Sequence, residues 1–312
     1  MTLIDLFATT PPLLVGSAFL LSLLVGSFLN VVIHRLPIML DRQWREQAQE
    51  MLAEATAGGA TAVSAAEGPP PASAARYNLL TPRSACPHCG AAIGAHQNIP
   101  VVSWLLLGGK CASCKAKISP RYPIVELGTA LLSAAVVWRF GWHWQSVAAL
   151  FFTWALVALT VIDLDHQILP DIITLPLLWL GLLASLAWHP GLTAPIPSDP
   201  YSAIIGAAAG YLLLWSVYWA FKLLTGKEGM GYGDFKLFGA FGAWMGWQML
   251  PLILLFSALA GAVIGVLLIL LRGRDRNIPI PFGPYLAAAG WIALMWGPQI
   301  VDGYLTVSGL NR

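Results

Sequence analysis

The residues with the clearest chemical potential are two aspartates, Asp163 and Asp234, in a chain that carries little other charge. Asp163 follows the apolar run 156–162, and Asp234 comes directly before another apolar stretch. An ionisable group inside or at the border of a membrane is costly, so each aspartate is a candidate functional residue. Two facing carboxylates share one proton, because both cannot easily ionise in close contact. Such a pair can activate a water molecule to attack a peptide carbonyl, or it can relay protons across a membrane.

Two glycines, Gly231 and Gly233, lie immediately before Asp234. Glycine permits irregular backbone and the close approach of another chain, and such backbone occurs at membrane depth where it lines a cavity. Pro170 ends the Asp163 segment and predicts a turn there. The simpler interpretation makes Asp163 an ordinary helix-end residue and Asp234 the N-cap of the next helix, since aspartate is a favoured cap. The glycines and the proline favour a functional site.

All four cysteines lie in one polar segment, as the pairs Cys86-x-x-Cys89 and Cys111-x-x-Cys114 with 21 residues between them. This pattern is typical of the paired knuckles of a four-thiolate zinc site, with a slightly long middle spacing. Zinc would stabilise a segment too small to fold well on its own core. Redox-active dithiols and unliganded thiols are the alternatives. His88, inside the first pair, is expected not to be a ligand.

The composition defines the class of protein, because 57% of the residues are hydrophobic and only 10% are charged. These values lie well outside the range of soluble domains. The sequence predicts an all-α polytopic membrane protein with about eight spans, each of about 20 predominantly apolar residues. The predicted helices are centred near Leu21, Leu131, Leu156, Leu178, Leu213, Ala243, Ile264 and Ala288. The sixth, from Phe235 to about Met249, is the shortest.

The basic residues predict the orientation of these helices, because cytoplasmic loops carry an excess of Lys and Arg. Residues 1–10 contain no Lys or Arg, and Arg35 follows the first apolar segment. This pattern favours a retained first helix with its N-terminus outside over a cleaved signal peptide. Alternation from there places 15 of the 17 basic residues inside. Both aspartates and all four cysteines then face the cytoplasm, where structural disulfides are disfavoured. The net charge of +2 gives no indication of nucleic-acid binding.

The predicted organisation has three parts. Residues 1–36 form the first transmembrane helix, residues 37–122 a cytoplasmic loop with the cysteines, and residues 123–312 the bundle that carries the aspartates. Within the loop, residues 54–75 are rich in Ala, Gly and Pro and are expected to be a flexible insertion. Residues 41–55 are a candidate for a short helix on the membrane surface.

The order of motifs along the chain resembles that of a known enzyme family. The motif Gly231-Tyr232-Gly233-Asp234 and the spacing Asp163-x6-Pro170-Asp171 are similar to those of the bifunctional type IV prepilin peptidases of bacterial inner membranes. These enzymes are intramembrane aspartic proteases of the GxGD class. The resemblance extends to the two cysteine pairs and to the motifs Gly26–Pro37, Asn98–Pro100, Arg121–Leu127 and Pro281–Leu286. A lone GxGD motif would be weak, whereas this ordered set spans nearly the whole chain.

The resemblance implies both the activity and the site residues. It implies cleavage of the short basic leader of type IV prepilins or type II secretion pseudopilins after a glycine. Methylation of the new N-terminal residue, commonly Phe, with S-adenosylmethionine would follow. The catalytic carboxylates fall on Asp163 and Asp234, and the family's spacing to Pro170 selects Asp163 over its neighbour Asp165. The cysteine loop is associated with methylation in the family, and a structural zinc there is consistent with that.

Some assignments stay open at this point. The residues that could assist the aspartates or the substrate are Glu126, Asp165, His166, Asp171 and Glu228. No glycine-rich fingerprint for S-adenosylmethionine is visible, so the sequence does not assign its contacts. A proton-coupled transporter could use the same aspartates, although transporters usually place their polar groups near the membrane midplane. A membrane-anchored zinc-ribbon adaptor is a third function, and it would leave the GxGD motif unused.

Overall fold

The computed structural model describes residues 6–7, 9–57, 77–190, 196–272 and 280–309, and within these ranges the chain is almost entirely helical. Its helices are α1 (Pro11–Ala57), α2 (Val102–Leu106), α3 (Arg121–Phe140), α4 (Trp144–His166), α5 (Asp171–Ser185), α6 (Pro200–Thr225), α7 (Tyr232–Met245), α8 (Leu250–Arg272) and α9 (Gly283–Val307). Two short 3-10 helices cover Ala95–Asn98 and Trp247–Met249. The predicted all-α fold class is confirmed.

Five helices of the described chain, α1, α3, α4, α6 and α8, are long and apolar enough to cross a membrane. Helices also occupy the other three predicted positions. However, α5 has only 15 residues and α7 only 14, fewer than the roughly 20 that a span normally needs. The prediction of a multi-pass membrane protein is therefore confirmed, whereas the count of eight spans stays a prediction.

The short α7 helix belongs to the core of the bundle, because nearly all of its residues are buried. Glycines allow it to pack directly on the backbone of α6. A Cβ on Gly242 would overlap the carbonyl oxygen of Gly206, and a Cβ on Gly210 would lie 2.7 Å from the carbonyl oxygen of Phe238. Small residues at helix contacts are the usual way for membrane helices to approach closely. The helix ends at Gly246, whose positive φ of 79° an L side chain rarely adopts.

The first helix is longer than the sequence predicts. The predicted span ends at residue 36, but α1 continues through Pro37 without a break to Ala57. At 1.5 Å per residue it is about 70 Å long, more than twice the hydrocarbon thickness of a bilayer. Its second half is exposed, and Arg45 pairs there with Asp41 at 2.9 Å. The predicted short helix at 41–55 is thus the end of α1, and most of the predicted flexible insertion, residues 58–75, lies outside the described residues.

Residues 77–120, called here the cysteine loop, dock on α1 and α3 through buried polar contacts. Arg35 of α1 is buried and donates to the carbonyl oxygens of Asn78 at 2.9 Å and Pro82 at 2.6 Å. Glu126 of α3 is also buried, and its carboxylate accepts the backbone N–H of Val101 at 2.7 Å. A buried charge is costly unless it is hydrogen-bonded, so these contacts fix the loop against the bundle.

Candidate active site and thiolate cluster

Asp163 is buried in the last turn of α4, with 5% of its surface exposed. The helix ends just beyond it because Gln167 adopts a left-handed φ of 55°, and the Gln167 N–H closes on the Asp163 carbonyl at 2.9 Å. The Oδ2 atom of Asp163 accepts a hydrogen bond at 3.0 Å from the backbone N–H of Gly283, the first residue of α9. The N-terminus of a helix favours negative charge, since its first N–H groups have no partner within the helix.

Asp234 is buried in the first turn of α7, with 6% of its surface exposed. Gly231 is the N-cap of this helix. Its carbonyl oxygen accepts the Asp234 N–H, and its own N–H donates to Asp234 Oδ2, both at 3.2 Å. This reciprocal pair of bonds is the backbone equivalent of a capping box. The interpretation of Asp234 as the N-cap is therefore wrong, because Asp234 is the third residue of the helix and its carboxylate is oriented by the GxGD turn.

Leu169, in the turn between α4 and α5, joins the two aspartate segments. A Cβ on Gly233 would lie 2.6 Å from Leu169 Cβ, and a Cβ on Gly283 would lie 3.1 Å from Leu169 Cδ2. Because these glycines carry no side chains, α7 and α9 both close on this turn, and the carboxylates of Asp163 and Asp234 come within range of electrostatic interaction. Leu169 of the same chain makes a close approach to Gly233, and the approach of another chain to this glycine stays a prediction.

An ion pair fixes α7 against the start of α5. Lys236 Nζ donates to the two carboxylate oxygens of Asp171 at 2.6 and 2.7 Å. Lys236 is two residues after Asp234, and Asp171 opens α5 directly after the turn that contains Leu169. The Asp171 side chain is more than half exposed, and exposed ion pairs contribute only about 0–1 kcal/mol. The main effect of the Lys236–Asp171 ion pair is therefore to hold α7 against the start of α5. Asp171 thus has a structural partner.

The other residues that the sequence analysis left open have different partners. Glu126 binds the cysteine loop, as described above, and Glu228 pairs with Lys222 at 2.7 Å on an exposed part of the chain. Asp165 forms an ion pair with Arg121, the first residue of α3. This ion pair joins the end of α4 to the end of the cysteine loop, so the aspartates and the loop lie at the same end of the bundle.

The two cysteine pairs form equivalent knuckles. In the first, the Cys86 N–H donates to Ala91 O at 2.9 Å, and the Gly90 N–H donates to Cys86 O at 2.9 Å. In the second, the Cys111 N–H donates to Ala116 O at 2.8 Å, and the Lys115 N–H donates to Cys111 O at 3.1 Å. Gly90 and Lys115 occupy the same place in the two turns, and both have positive φ, at 71° and 59°.

The four thiol groups meet in a single cluster. Their Sγ atoms all lie within 4.8 Å of one another, and those of Cys86 and Cys114 are 3.8 Å apart. A tetrahedral Zn(Cys)4 centre with Zn–S bonds of about 2.3 Å requires S···S distances of about 3.8 Å, so the donor set fits zinc. Backbone N–H groups of Cys114 and Ser113 lower the pKa of Cys111 to about 6, which favours the thiolate that a metal binds. Among the described residues, His88 is not part of the cluster.

The helical fold, with its five candidate membrane spans among the described residues, defines a class of protein, a multi-pass helical membrane protein. Residues 20–140 match the bacterial peptidase A24 N-terminal domain, and residues 150–266 match the type IV leader peptidase family. The chain belongs to this family.

Three relatives are each named prepilin leader peptidase/N-methyltransferase. The protein of Pseudomonas aeruginosa is 54% identical over 311 residues, which cover 100% of both chains. The protein of Aeromonas salmonicida is 55% identical over 97% of this chain and 98% of its own. The protein of Dichelobacter nodosus is 50% identical over 90% of this chain and 91% of its own. No solved structure matches the chain.

Several residues that shape the site could not be recognised from the sequence alone. Gly283 and Leu169 position the carboxylates through backbone and packing contacts, which leave no mark in charge or periodicity. Gly283 lies within the Pro281–Leu286 motif, but the resemblance assigns no role to that motif. The Lys236–Asp171 and Arg121–Asp165 ion pairs join residues far apart in the chain, and no local pattern predicts such contacts.

Proposed function

We propose that this chain is a membrane aspartic endopeptidase that removes the leader peptide of type IV prepilins or pseudopilins and then methylates the new N-terminus. The observation that supports the proposal is that Asp163 and Asp234, two buried carboxylates from distant parts of the chain, each accept a glycine N–H on segments that close on the same turn at Leu169. Membership of the type IV leader peptidase family supports the substrate class. Membrane lipid surrounds the enzyme, and nucleic acid has no part in the reaction.

The proposed mechanism needs one proton shared by the two carboxyl groups. The ionised carboxylate takes a proton from a water molecule, and the resulting hydroxide attacks the scissile carbonyl after the leader glycine. The protonated carboxyl group gives its proton to the carbonyl oxygen, and the amide nitrogen leaves as a free amine after protonation. The Gly283 and Gly231 N–H groups hold Asp163 and Asp234 in place, so neither carboxylate depends on a mobile side chain for its orientation.

We assign the active site to the cytoplasmic face of a bacterial inner membrane. The end of the bundle with both aspartates also carries the cysteine loop and the basic residues Arg35 and Arg121, as the positive-inside rule requires of the cytoplasmic side. A proton-coupled transporter would place its carboxylates near the midplane. Here Asp163 lies at the end of α4 and Asp234 at the start of α7, and the glycines that contact these segments both close on the turn at Leu169.

Methylation is the second step of the proposed function. When bound, S-adenosylmethionine supplies a methyl group to the new α-amino group of the cleaved substrate. Cys86, Cys89, Cys111 and Cys114 would hold one structural zinc ion. The zinc would fix the cysteine loop, which docks on α1 and α3 through Arg35 and Glu126.

The direct test uses the purified full chain in detergent with a synthetic peptide that contains a prepilin leader and the first residues of the mature pilin. Mass spectrometry should detect the mature peptide with a free N-terminus and, after addition of S-adenosylmethionine, the same peptide with one additional methyl group. Transport of protons without any peptide cleavage would support the transporter instead.

The zinc site gives a prediction that separates the two activities. Cys111→Ser should reduce the zinc content of the purified protein and impair methylation more than cleavage, because three thiolates no longer fix the loop. Ser113→Ala is the matched control, since Ser113 lies exposed in the same knuckle and its backbone N–H is kept. Elemental analysis and the mass of the product measure both effects. A metal-free wild-type protein contradicts the zinc assignment, and equal loss of both activities shows that the loop also shapes the protease site.

Gly233→Val should reduce leader cleavage by about a hundredfold, the loss expected when catalytic groups move by about 1 Å. The new Cβ would lie 2.6 Å from Leu169 Cβ, so the first turn of α7 must move away from α4. Gly128→Val on α3 is the control, because a Cβ there meets nothing within 4 Å. Cleavage rates are compared at equal amounts of membrane-inserted protein. Full activity of Gly233→Val would show that Asp234 is positioned without this contact.

A further inference from the structure

We propose that S-adenosylmethionine binds in a polar cleft between the start of α3, the end of α4 and α1. This inference rests on the proposed methyltransferase function and assigns its cofactor contacts. The cleft has a volume of about 320 Å³, within the range of small-molecule sites. Its lining residues include Asn30, His34, Arg121, Tyr122, Asp165 and His166. They come from two motifs that the proteolytic mechanism does not use, Gly26–Pro37 and Arg121–Leu127, and from the end of α4.

The charges of the cleft match those of the cofactor. The amino-acid end of S-adenosylmethionine carries a carboxylate and an ammonium group, and its sulfur is a sulfonium cation. Arg121 and Asp165 form an ion pair at the cleft, and their side chains are 40% and 32% exposed. A guanidinium group binds carboxylates through two parallel hydrogen bonds, and the Asp165 carboxylate suits the cationic groups. Arg121 can therefore bind the carboxylate of the cofactor, and Asp165 can bind its cationic groups. Both side chains are exposed enough to reach the cofactor.

The aromatic side of the cleft suits the adenine. Tyr122 is 45% exposed, and a tyrosine ring offers a large flat surface for stacking. Asn30 of α1 fixes Tyr122, because its Nδ2 donates to the Tyr122 carbonyl oxygen at 3.1 Å. This hydrogen bond holds the backbone of Tyr122 against α1, and it joins the same two motifs that form the cleft.

The position of the cleft suits transfer to a newly cleaved substrate. Asp165 and His166 follow the proposed catalytic Asp163 by two and three residues at the end of the same helix. Ser119, at the end of the cysteine loop, also lines the cleft. A methyl donor held here lies beside both the aspartate end of α4 and the loop on which methylation is proposed to depend.

A second cavity differs from the polar cleft in the chemistry of its lining. It has a volume of about 520 Å³ and is lined by apolar residues of α1 and α3, among them Val15, Phe19 and Trp138. A zwitterion with a sulfonium cation would lose its hydration there without charged partners, which is costly. The larger cavity suits a lipid acyl chain, and the polar cleft suits S-adenosylmethionine.

The test measures binding without any prepilin. Isothermal calorimetry with the purified full chain in detergent should show binding of S-adenosylmethionine to the wild type. Arg121→Gln should weaken the affinity by about tenfold or more, because a charge-assisted contact is lost. Arg121→Lys, which keeps the charge, should retain part of the affinity. Arg45→Gln is the matched control, because it removes an exposed arginine ion pair outside the cleft.

The outcomes separate this inference from the function on which it rests. A wild-type chain that does not bind S-adenosylmethionine overturns the methyltransferase proposal, and the cleft assignment with it. Wild-type affinity in Arg121→Gln overturns only the assignment of the cofactor site to this cleft. The methyltransferase proposal is then unaffected. If Arg121→Gln does not fold, ultraviolet cross-linking of labelled S-adenosylmethionine to the wild type decides the question. The label should lie on a peptide that contains Tyr122, His34 or His166, and a label confined to other peptides overturns the assignment.

Discussion

Asp163→Asn and Asp234→Asn should each reduce leader cleavage by about a hundredfold to ten-thousandfold, the range that a positioned acid or base contributes. An amide has nearly the shape of a carboxyl group, but it cannot exchange the proton that the reaction moves. Each variant keeps an oxygen that can accept the N–H of Gly283 or of Gly231. Folding should therefore change little while the chemistry stops.

The control for both variants is Asp302→Asn on α9, an exposed aspartate that the proposed mechanism does not use. Cleavage of a synthetic prepilin peptide is followed by mass spectrometry, and thermal unfolding checks that each protein is folded. Near wild-type cleavage by either the Asp163 or the Asp234 variant would mean that the aspartic protease assignment is wrong.

The aspartates could be found from the sequence because a membrane makes charge conspicuous. In an apolar chain an ionisable residue at the end of a hydrophobic run has few structural reasons to be there. The cysteine spacing was equally informative, since a knuckle is a local structure and its two thiols are fixed by backbone within a few residues. Both signals are local, and the structure brings Cys86 and Cys114 to 3.8 Å and both aspartates to the same end of the bundle.

The extent of α1 could not be predicted in this way. Hydropathy marks where a helix leaves the membrane, and a helix that continues into water looks like the start of a loop. A proline such as Pro37 also disfavours a continuing helix, because it removes a hydrogen bond within the helix. The helix nevertheless continues to Ala57, and its exposed second half is polar enough to be hydrated.

The role of Gly233 shows a different limit of prediction from sequence, because the sequence does not identify long-range packing partners. The sequence correctly indicates that a backbone must approach this residue closely, because a glycine next to a functional residue permits it. It does not indicate which backbone. The partner is Leu169, 64 residues earlier, and this contact depends on how α4, α5 and α7 pack together. Tertiary packing also decides the contact of Gly283 with Asp163, 120 residues apart.

Gly283→Ala should reduce leader cleavage by about a hundredfold, because a displacement of about 1 Å at a catalytic group costs about that much. The new methyl group would lie 2.6 Å from Asp163 Oδ2 and 3.1 Å from its Cγ. The carboxylate must then turn away or the start of α9 must shift, and either movement breaks the 3.0 Å hydrogen bond that holds Asp163. The substitution changes no charge and removes no titrating group, so any loss reports positioning alone.

Gly303→Ala provides the matched control, since Gly303 lies on the same helix and a Cβ there meets nothing within 4 Å. Alanine is favoured over glycine inside a helix by roughly 0.5–1 kcal/mol, so Gly303→Ala should be fully active and no less stable. Thermal unfolding of both variants is measured beside the cleavage rate. If Gly283→Ala cleaves as fast as Gly303→Ala, then Asp163 does not depend on the N-terminus of α9 for its position. A slow but stably folded Gly283→Ala would instead identify α9 as the element that orients the first carboxylate.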